Sequence, residues 1–230
     1  MNKDINLSID KKYEKILEIV KQELSCSAHD IDHIFRVCNL GMSIAKSEKQ
    51  VDMDVLVPAI LLHDIARVKE DRDATGSTNH AVLGSEMAGS ILRGLGYEES
   101  TIKEIKHCII SHRYRSNSKP KTIEAKILFD ADKVDGMGAI GIARTFMMSA
   151  QYGSKLYDDM SQYKGMESNL AESNEPKNRL KHPPNIEFEI KFKKIPESLY
   201  TKKAKEIAEE RRKYMESFFE RLGEEVKGLR

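Results

Sequence analysis

Apolar side chains recur at three- and four-residue intervals through most of this chain, a period that commits it to amphipathic helices packed on one another. Ile9, Tyr13, Ile16, Leu17, Val20 and Leu24 begin the pattern and predict a first helix over about 9 to 25. Asp30 opens a second, with Ile34, Val37, Cys38, Gly41 and Ala45 on one face beside His33, ending near Lys49. Asp52 or Asp54 can cap a third, VLVPAILLHDIARV, whose apolar character runs nearly all round and makes it central. Pro58 is expected in or near its first turn, where a missing N–H costs little.

The stretch KEDRDATGSTN reads as a loop, and Asn79 as the cap of a fourth helix with Val82, Met87, Ala88, Ile91 and Leu95 inward and Gly94 and Gly96 at its stop. Thr101 and Glu104 have capping-box spacing ahead of Ile102, Ile105 and Ile109, with His112 on the same face. After Pro120, residues 122–151 read as one or two helices with a joint at Gly136, Gly138 and Gly141. Residues 152–184 turn to Ser, Asn, Lys, Glu and Pro and read as a long, lid-like surface loop. IEFEIKFKKI fits a strand through Ile186, Phe188, Ile190 and Phe192, and equally a helix through Phe188, Phe192, Ile195 and Leu199. Thr201 can cap a last long helix carrying Ala204, Ile207, Ala208, Met215, Phe218 and Leu222. The expected fold is all-α, a single domain over 1–230 with its C-terminal helical segment, about 186–228, packed back on the bundle.

A chain of 230 residues can bury roughly 70% of its unfolded surface, enough for a proper core. Lys+Arg 38 against Asp+Glu 37 leaves a net charge of +1, so nothing draws the whole molecule onto nucleic acid or an acidic membrane, and phosphate recognition has to be local. No run approaches the ~20 apolar residues of a membrane span, and the N-terminus lacks a signal-length apolar stretch. Three cysteines, Cys26, Cys38 and Cys108, fit neither a disulfide scaffold nor a zinc ribbon. A soluble cytoplasmic protein is expected.

Six of the seven histidines fall in the first half of the chain, and three short motifs put His or Asp into apolar surroundings: AHDIDHIFRV at 28–37, LLHDIAR at 61–67 and FDADKVDGMG at 129–138. A buried carboxylate costs several kcal/mol unless it is paired or metal-bound, so His63 and Asp64, directly after Ala59 to Leu62, need a partner, and a divalent cation would serve. His33, His63, Asp64 and Asp132 together offer two nitrogens and two oxygens from three helices, a donor set suited to Mn, Fe, Ni, Zn or Mg with two positions left for water and a substrate oxygen.

The order His33, His63-Asp64, Asp132, with Asp30, Arg36 and Val37 around the first histidine, resembles the HD-domain superfamily of metal-dependent phosphohydrolases. NHAVLGSEMAGSIL at 79–92, IISHR at 109–113, EAKILFDADKVDGMGAIGIARTF at 124–146 and LYTKKAKEIAEERRKYMESFF at 199–219 extend the resemblance over nearly the whole chain, to a branch of small stand-alone microbial hydrolases. The resemblance implies an HD-type helical bundle with a metal-binding core over about 26–146, a helical rather than extended IEFEIKFKKI, and a pyrophosphohydrolase acting on nucleotides. His33, His63, Asp64 and Asp132 are then the expected ligands of one divalent ion. His80 and His112 either donate to phosphate oxygens or complete a second metal site, as the order H, HD, H, H, D would in two-metal relatives.

Asp64 is placed to orient the attacking water, and Asp135, one turn from Asp132, to take a proton or order solvent. Lys133 and Arg144 are candidate phosphate contacts, and Arg36 either a contact or a structural ion pair. His29, His107 and His182 are read as bystanders. A phosphomonoesterase acting on nucleoside monophosphates is the alternative enzyme, and a non-catalytic nucleotide-sensing module the alternative of another class. Nucleic acid and membrane are not expected as partners; a homodimer is compatible with the chain. Asp64 is followed by Ile65, Ala66 and Arg67, without the Gly-Tyr-Pro of the cyclic-dinucleotide branch or the acidic pair just after His-Asp of the alarmone hydrolases.

Overall fold

The computed structural model describes residues 13–24, 31–113, 118–151, 153–163 and 183–230. Among them the regular structure is entirely helical: α1 Glu14–Glu23, α2 Ile31–Ala45, α3 Met53–Leu62, α4 Arg67–Arg72, α5 His80–Gly94, α6 Glu99–Ser111, α7 Ile123–Asp135, α8 Gly138–Gln151, α9 Pro184–Ile190, α10 Ile195–Ser198 and α11 Lys202–Val226, with short 3-10 turns at Met160–Tyr163 and Phe192–Lys194. The chain divides into two compact units, Met1–Asp132 and Lys133–Arg230, the division falling inside α7. Cys26, His29, Asp30, Tyr152 and His182, and the lid reading over 164–182, lie outside the described residues.

In the first unit α3 is the central rod. Asp52 caps it, its side chain accepting from the Asp54 N–H at 2.8 Å, and every residue from Val55 to Leu62 is buried. Pro58 stands in the second turn, not the first. Neighbours on several sides explain the all-round apolar pattern: α1, α2 and α6 all pack on α3. The Tyr13 hydroxyl donates to Asp54 Oδ1 at 2.8 Å, and the Asp52 N–H donates to Glu124 Oε1 of α7 at 2.9 Å, so both α1 and α7 are tied to the head of the rod. Gly41 lets α2 approach: a Cβ there would stand 2.6 Å from Ile60 Cδ1. That close crossing brings the His33 helix to the C-terminal end of α3.

Four boundaries depart from expectation. α2 ends at Ala45, a turn before Lys49. α3 stops at Leu62, so His63 and Asp64 occupy a turn after the helix instead of its interior. The following polar stretch begins as helix: Arg67 to Arg72 form α4, anchored where the Arg67 N–H donates to the Asp64 carbonyl at 2.8 Å, and the loop proper starts at Asp73. α6 starts at Glu99 with Glu98 before it, which leaves Thr101 inside the helix and not at its cap.

The second unit is built on α8, α9 and α11. Gly138 takes φ +70°, a conformation L side chains rarely adopt, and forms the joint between α7 and α8. Arg211 Nη1 donates to the Val134 carbonyl at 2.6 Å, satisfying an end of α7. IEFEIKFKKI is helical, with Phe188, Phe192, Ile195 and Leu199 all buried. Phe188 stacks on Phe219 of α11 with ring centroids 5.2 Å apart, and Phe146 of α8 stacks on the same ring at 6.3 Å. Thr201 caps α11, its hydroxyl accepting from the Ala204 N–H at 3.4 Å.

Candidate metal centre

Four elements of the first unit each end or begin at one place. α2 supplies His33 from its first turn, the turn after α3 supplies His63 and Asp64, α5 supplies His80 as its first residue, and α6 supplies His112 directly after Ser111. α7 adds Asp132. Positions at helix ends are set by packing, so side chains 99 residues apart in sequence can share one ion-sized space.

Two clusters meet at Asp64. In the first, His33 Nε2 and His63 Nε2 are 3.3 Å apart, with Asp132 Oδ1 3.5 Å from the one and 4.0 Å from the other. Asp64 Oδ2 lies 3.8 and 3.9 Å from the same two nitrogens. In the second, His80 Nε2 and His112 Nε2 are 3.2 Å apart and each is 3.6 Å from Asp64 Oδ1. One carboxylate therefore turns one oxygen to each cluster.

The protonation pattern decides what fits there. His63 Nδ1 donates to the Ile60 carbonyl at 2.8 Å, and His112 Nδ1 to the Ile109 carbonyl at 2.6 Å. His80 Nδ1 donates to Glu70 Oε2 at 2.9 Å. A neutral imidazole carries one proton, so each of these rings presents a lone pair at Nε2. Lone pairs and carboxylate oxygens pointed at a common centre repel unless a cation sits between them. With metal–nitrogen bonds of about 2.1 Å, two imidazoles on one ion place their nitrogens about 3.0–3.4 Å apart, the spacing found in both clusters. The residues fit a divalent metal ion in each.

Burial supplies the electrostatics. Desolvation drives the His63 pKa down to about 4 against the pull of Asp64 and Asp132, which keeps the ring neutral and available as a ligand at neutral pH. His80 is likewise shifted down, by burial first, with Glu70 and Asp64 opposing. Burial pushes the Asp64 carboxyl up, but the facing rings of His63, His112 and His80 and the charge of Arg67 outweigh it and hold the group well below the usual carboxylate range. Of the six side chains Asp132 reaches solvent most, at 16% exposure against 7% or less for the others.

The structure thus gathers His33, His63, Asp64, Asp132, His80 and His112. Arg36 stands one turn along α2 from His33 and is half-buried. Lys133, Asp135 and Arg144 belong to the second unit, where Arg144 Nη1 is 3.5 Å from the buried Asp135 Oδ2. His107 accepts a hydrogen bond from the Lys121 N–H at 3.0 Å, away from the cluster. Cys38 and Cys108 are buried thiols pushed up to about 11 and about 12 by desolvation, which disqualifies them as nucleophiles.

Sequence reasoning missed Glu70. Burial raises its carboxyl, yet the His80 hydrogen bond and the charges of Arg67 and Arg113 prevail and hold it at about 2. Its place in the polar KED run beside Arg67 makes it look like half of a local ion pair, and only the return of the chain at His80 sets it behind a histidine of the centre.

Residues 30–137 match the HD domain family. The uncharacterized protein YpgQ of Bacillus subtilis is 29% identical over 226 residues, covering 95% of this chain and 96% of its own. Its crystal structure in complex with ADP superposes with a TM-score of 0.69 at 26% identity, over 94% of this chain and 95% of that one. An HD-superfamily hydrolase from Bacillus thuringiensis is 30% identical, with a TM-score of 0.68 over 94% of this chain and 97% of its own. A shorter match, 24% identical over 147 residues and 57% of this chain, is to the 3'-5' exoribonuclease YhaM of Oceanobacillus iheyensis, of which it covers 46%.

Proposed function

Because the chain belongs to the HD superfamily of metal-dependent hydrolases, we propose that it hydrolyses nucleotides, cleaving nucleoside triphosphates to monophosphate and pyrophosphate, and that Asp64 would serve two divalent-cation sites at once. The paired lone-pair clusters on either side of that one carboxylate carry the reading. His33, His63, Asp132 and Asp64 Oδ2 would hold one ion, and His80, His112 and Asp64 Oδ1 the other. Four imidazoles to two carboxylates favour Mn, Fe, Ni or Zn over Mg, which prefers oxygen.

Such cations, when bound, lower the proton affinity of a ligated water and polarise a phosphoryl oxygen. The chain's own groups do the rest. Asp64, kept ionised and buried, orients the attacking water toward the α phosphorus. Asp135 takes a proton at its carboxylate, held in place by Arg144. Lys133, Arg144 and Arg36 meet the negative charge that spreads over the phosphoryl oxygens as pyrophosphate leaves. The ADP held by YpgQ supports a nucleotide as the ligand class.

The deciding experiment is a product assay on the metal-reconstituted full chain, using nucleoside mono-, di- and triphosphates and a short oligoribonucleotide, with phosphate and pyrophosphate scored separately. Pyrophosphate from triphosphates is the expected result. Phosphate alone, released only from monophosphates, replaces the reading with a phosphomonoesterase. Turnover confined to the oligoribonucleotide, or no turnover with metal bound, overturns it.

A further inference from the structure

Three imidazoles in the two clusters have their tautomer set by a hydrogen bond at Nδ1, and one of them is set differently. His63 and His112 follow helices, so the carbonyl three residues back, Ile60 and Ile109, is there to accept. His80 begins a helix. No preceding turn of α5 exists to offer it a carbonyl, and Asn79, the cap, spends its side chain on the Ala81 N–H.

We infer that Glu70 is a positioning residue that orients His80 as a ligand of the second cation, a role that rests on the two-cation reading above. Its Oε2 accepts from His80 Nδ1 at 2.9 Å, and its Oε1 from the His80 backbone N–H at 3.4 Å, so one carboxylate grips both the ring and the start of α5. An ionised carboxylate only accepts, which makes Nδ1 the protonated nitrogen and leaves the lone pair on Nε2, facing His112 and Asp64. Arg67 Nη1 donates to the same Oε2 at 2.8 Å; it stands 3.2 Å from His80 Nδ1 because two donors converge on one oxygen. Arg113 Nη1, 3.4 Å from Oε1, braces the other side. The Glu70 side chain is only 8% exposed, so water competes poorly for any of these bonds. A carboxylate behind a ligating histidine fixes the ring and raises its basicity, and loss of such a partner weakens metal binding.

The test is Mn²⁺ binding by the full chain, followed by calorimetry and by metal content after dialysis, in wild type and Glu70→Gln. Wild type is expected to take two ions. Glu70→Gln is expected to keep the first at wild-type affinity and to bind the second about 10–100-fold more weakly. Retention of the first ion also reports that the variant is folded. Wild type taking a single ion sinks the two-cation reading; two ions in both proteins, with second-ion affinities within about threefold, sinks the role of Glu70 alone. Should the variant lose both ions or its fold, the tautomer of His80 in metal-free wild type, read from long-range proton–nitrogen NMR correlations, decides. A proton on Nδ1 upholds the inference, and a proton on Nε2 overturns it.

Discussion

Replacing Asp64 by asparagine is expected to release both cations at once, and the size of the effect follows from the way its two oxygens are shared. Oδ2 faces His33 and His63 at 3.8 and 3.9 Å, and Oδ1 faces His80 and His112 at 3.6 Å. Asparagine has one acceptor oxygen and no charge, so whichever way the amide turns, one cluster meets an NH₂ group and both lose an anion. An ion present at about 100 times its Kd contributes about 2.7 kcal/mol to folding through mass action. Two ions contribute about 5 kcal/mol, which for a chain of this length corresponds to roughly 10–20 °C in Tm.

The assay is differential scanning calorimetry at fixed free Mn²⁺ and again in chelator, with bound metal counted in parallel. Wild type should lose that stabilisation on chelation, and Asp64→Asn should show little to lose. His33→Ala and His112→Ala each disturb one cluster and should each retain about half of the metal-dependent shift. An Asp64→Asn protein with the full wild-type shift would refute ligation by Asp64. Loss of only half would refute its sharing between two ions.

Gly141→Ala sets a methyl against the Gly136 carbonyl, backbone that cannot turn aside as a side chain can, and should cost about 1–3 kcal/mol in urea denaturation; an unchanged midpoint would mean that the start of α8 does not close on Gly136 as described. Thr201→Ala removes the cap of α11 and should cost about 1 kcal/mol while leaving metal content untouched. Asp73 accepts from the Thr75 hydroxyl and N–H on Oδ1 and from the Ser77 hydroxyl and Thr78 N–H on Oδ2. The Thr75 hydrogen bonds foremost, with those from Thr78, lower its pKa below the ordinary carboxylate range. The stabilisation it gives is accordingly present above about pH 3.9 and lost as pH falls through the lowered folded value. A carboxyl NMR titration should find that low midpoint, and Thr75→Val should raise it.

Much of this architecture is written in local pattern. The apolar period, the caps at Asp52, Asn79 and Thr201 and the Gly136 to Gly138 joint all act within one turn of the residues that carry them, so helices are legible without knowing their neighbours. The cation site was legible in part for a related reason. A histidine and an aspartate directly after Ile60, Leu61 and Leu62 are costly to bury unless something charged meets them, and that conflict shows in the sequence itself. IEFEIKFKKI marks the limit of local pattern, since Phe188 and Phe192 suit either period until Phe219 stacks on the first of them.

The company each group keeps comes from packing. The end of α3 at Leu62, the short helix α4 that carries Arg67 and Glu70, and the seating of His80 at the head of α5 together determine that Asp64 has a cluster on each oxygen and that His80 has an acid behind it. The donor types and the need for a charged partner are legible in the residues alone, because desolvation is a property of each residue and its immediate neighbours. Their division into two sets of lone pairs, and the carboxylate that orients one of them, depend on distances between helix ends, and those are set by packing.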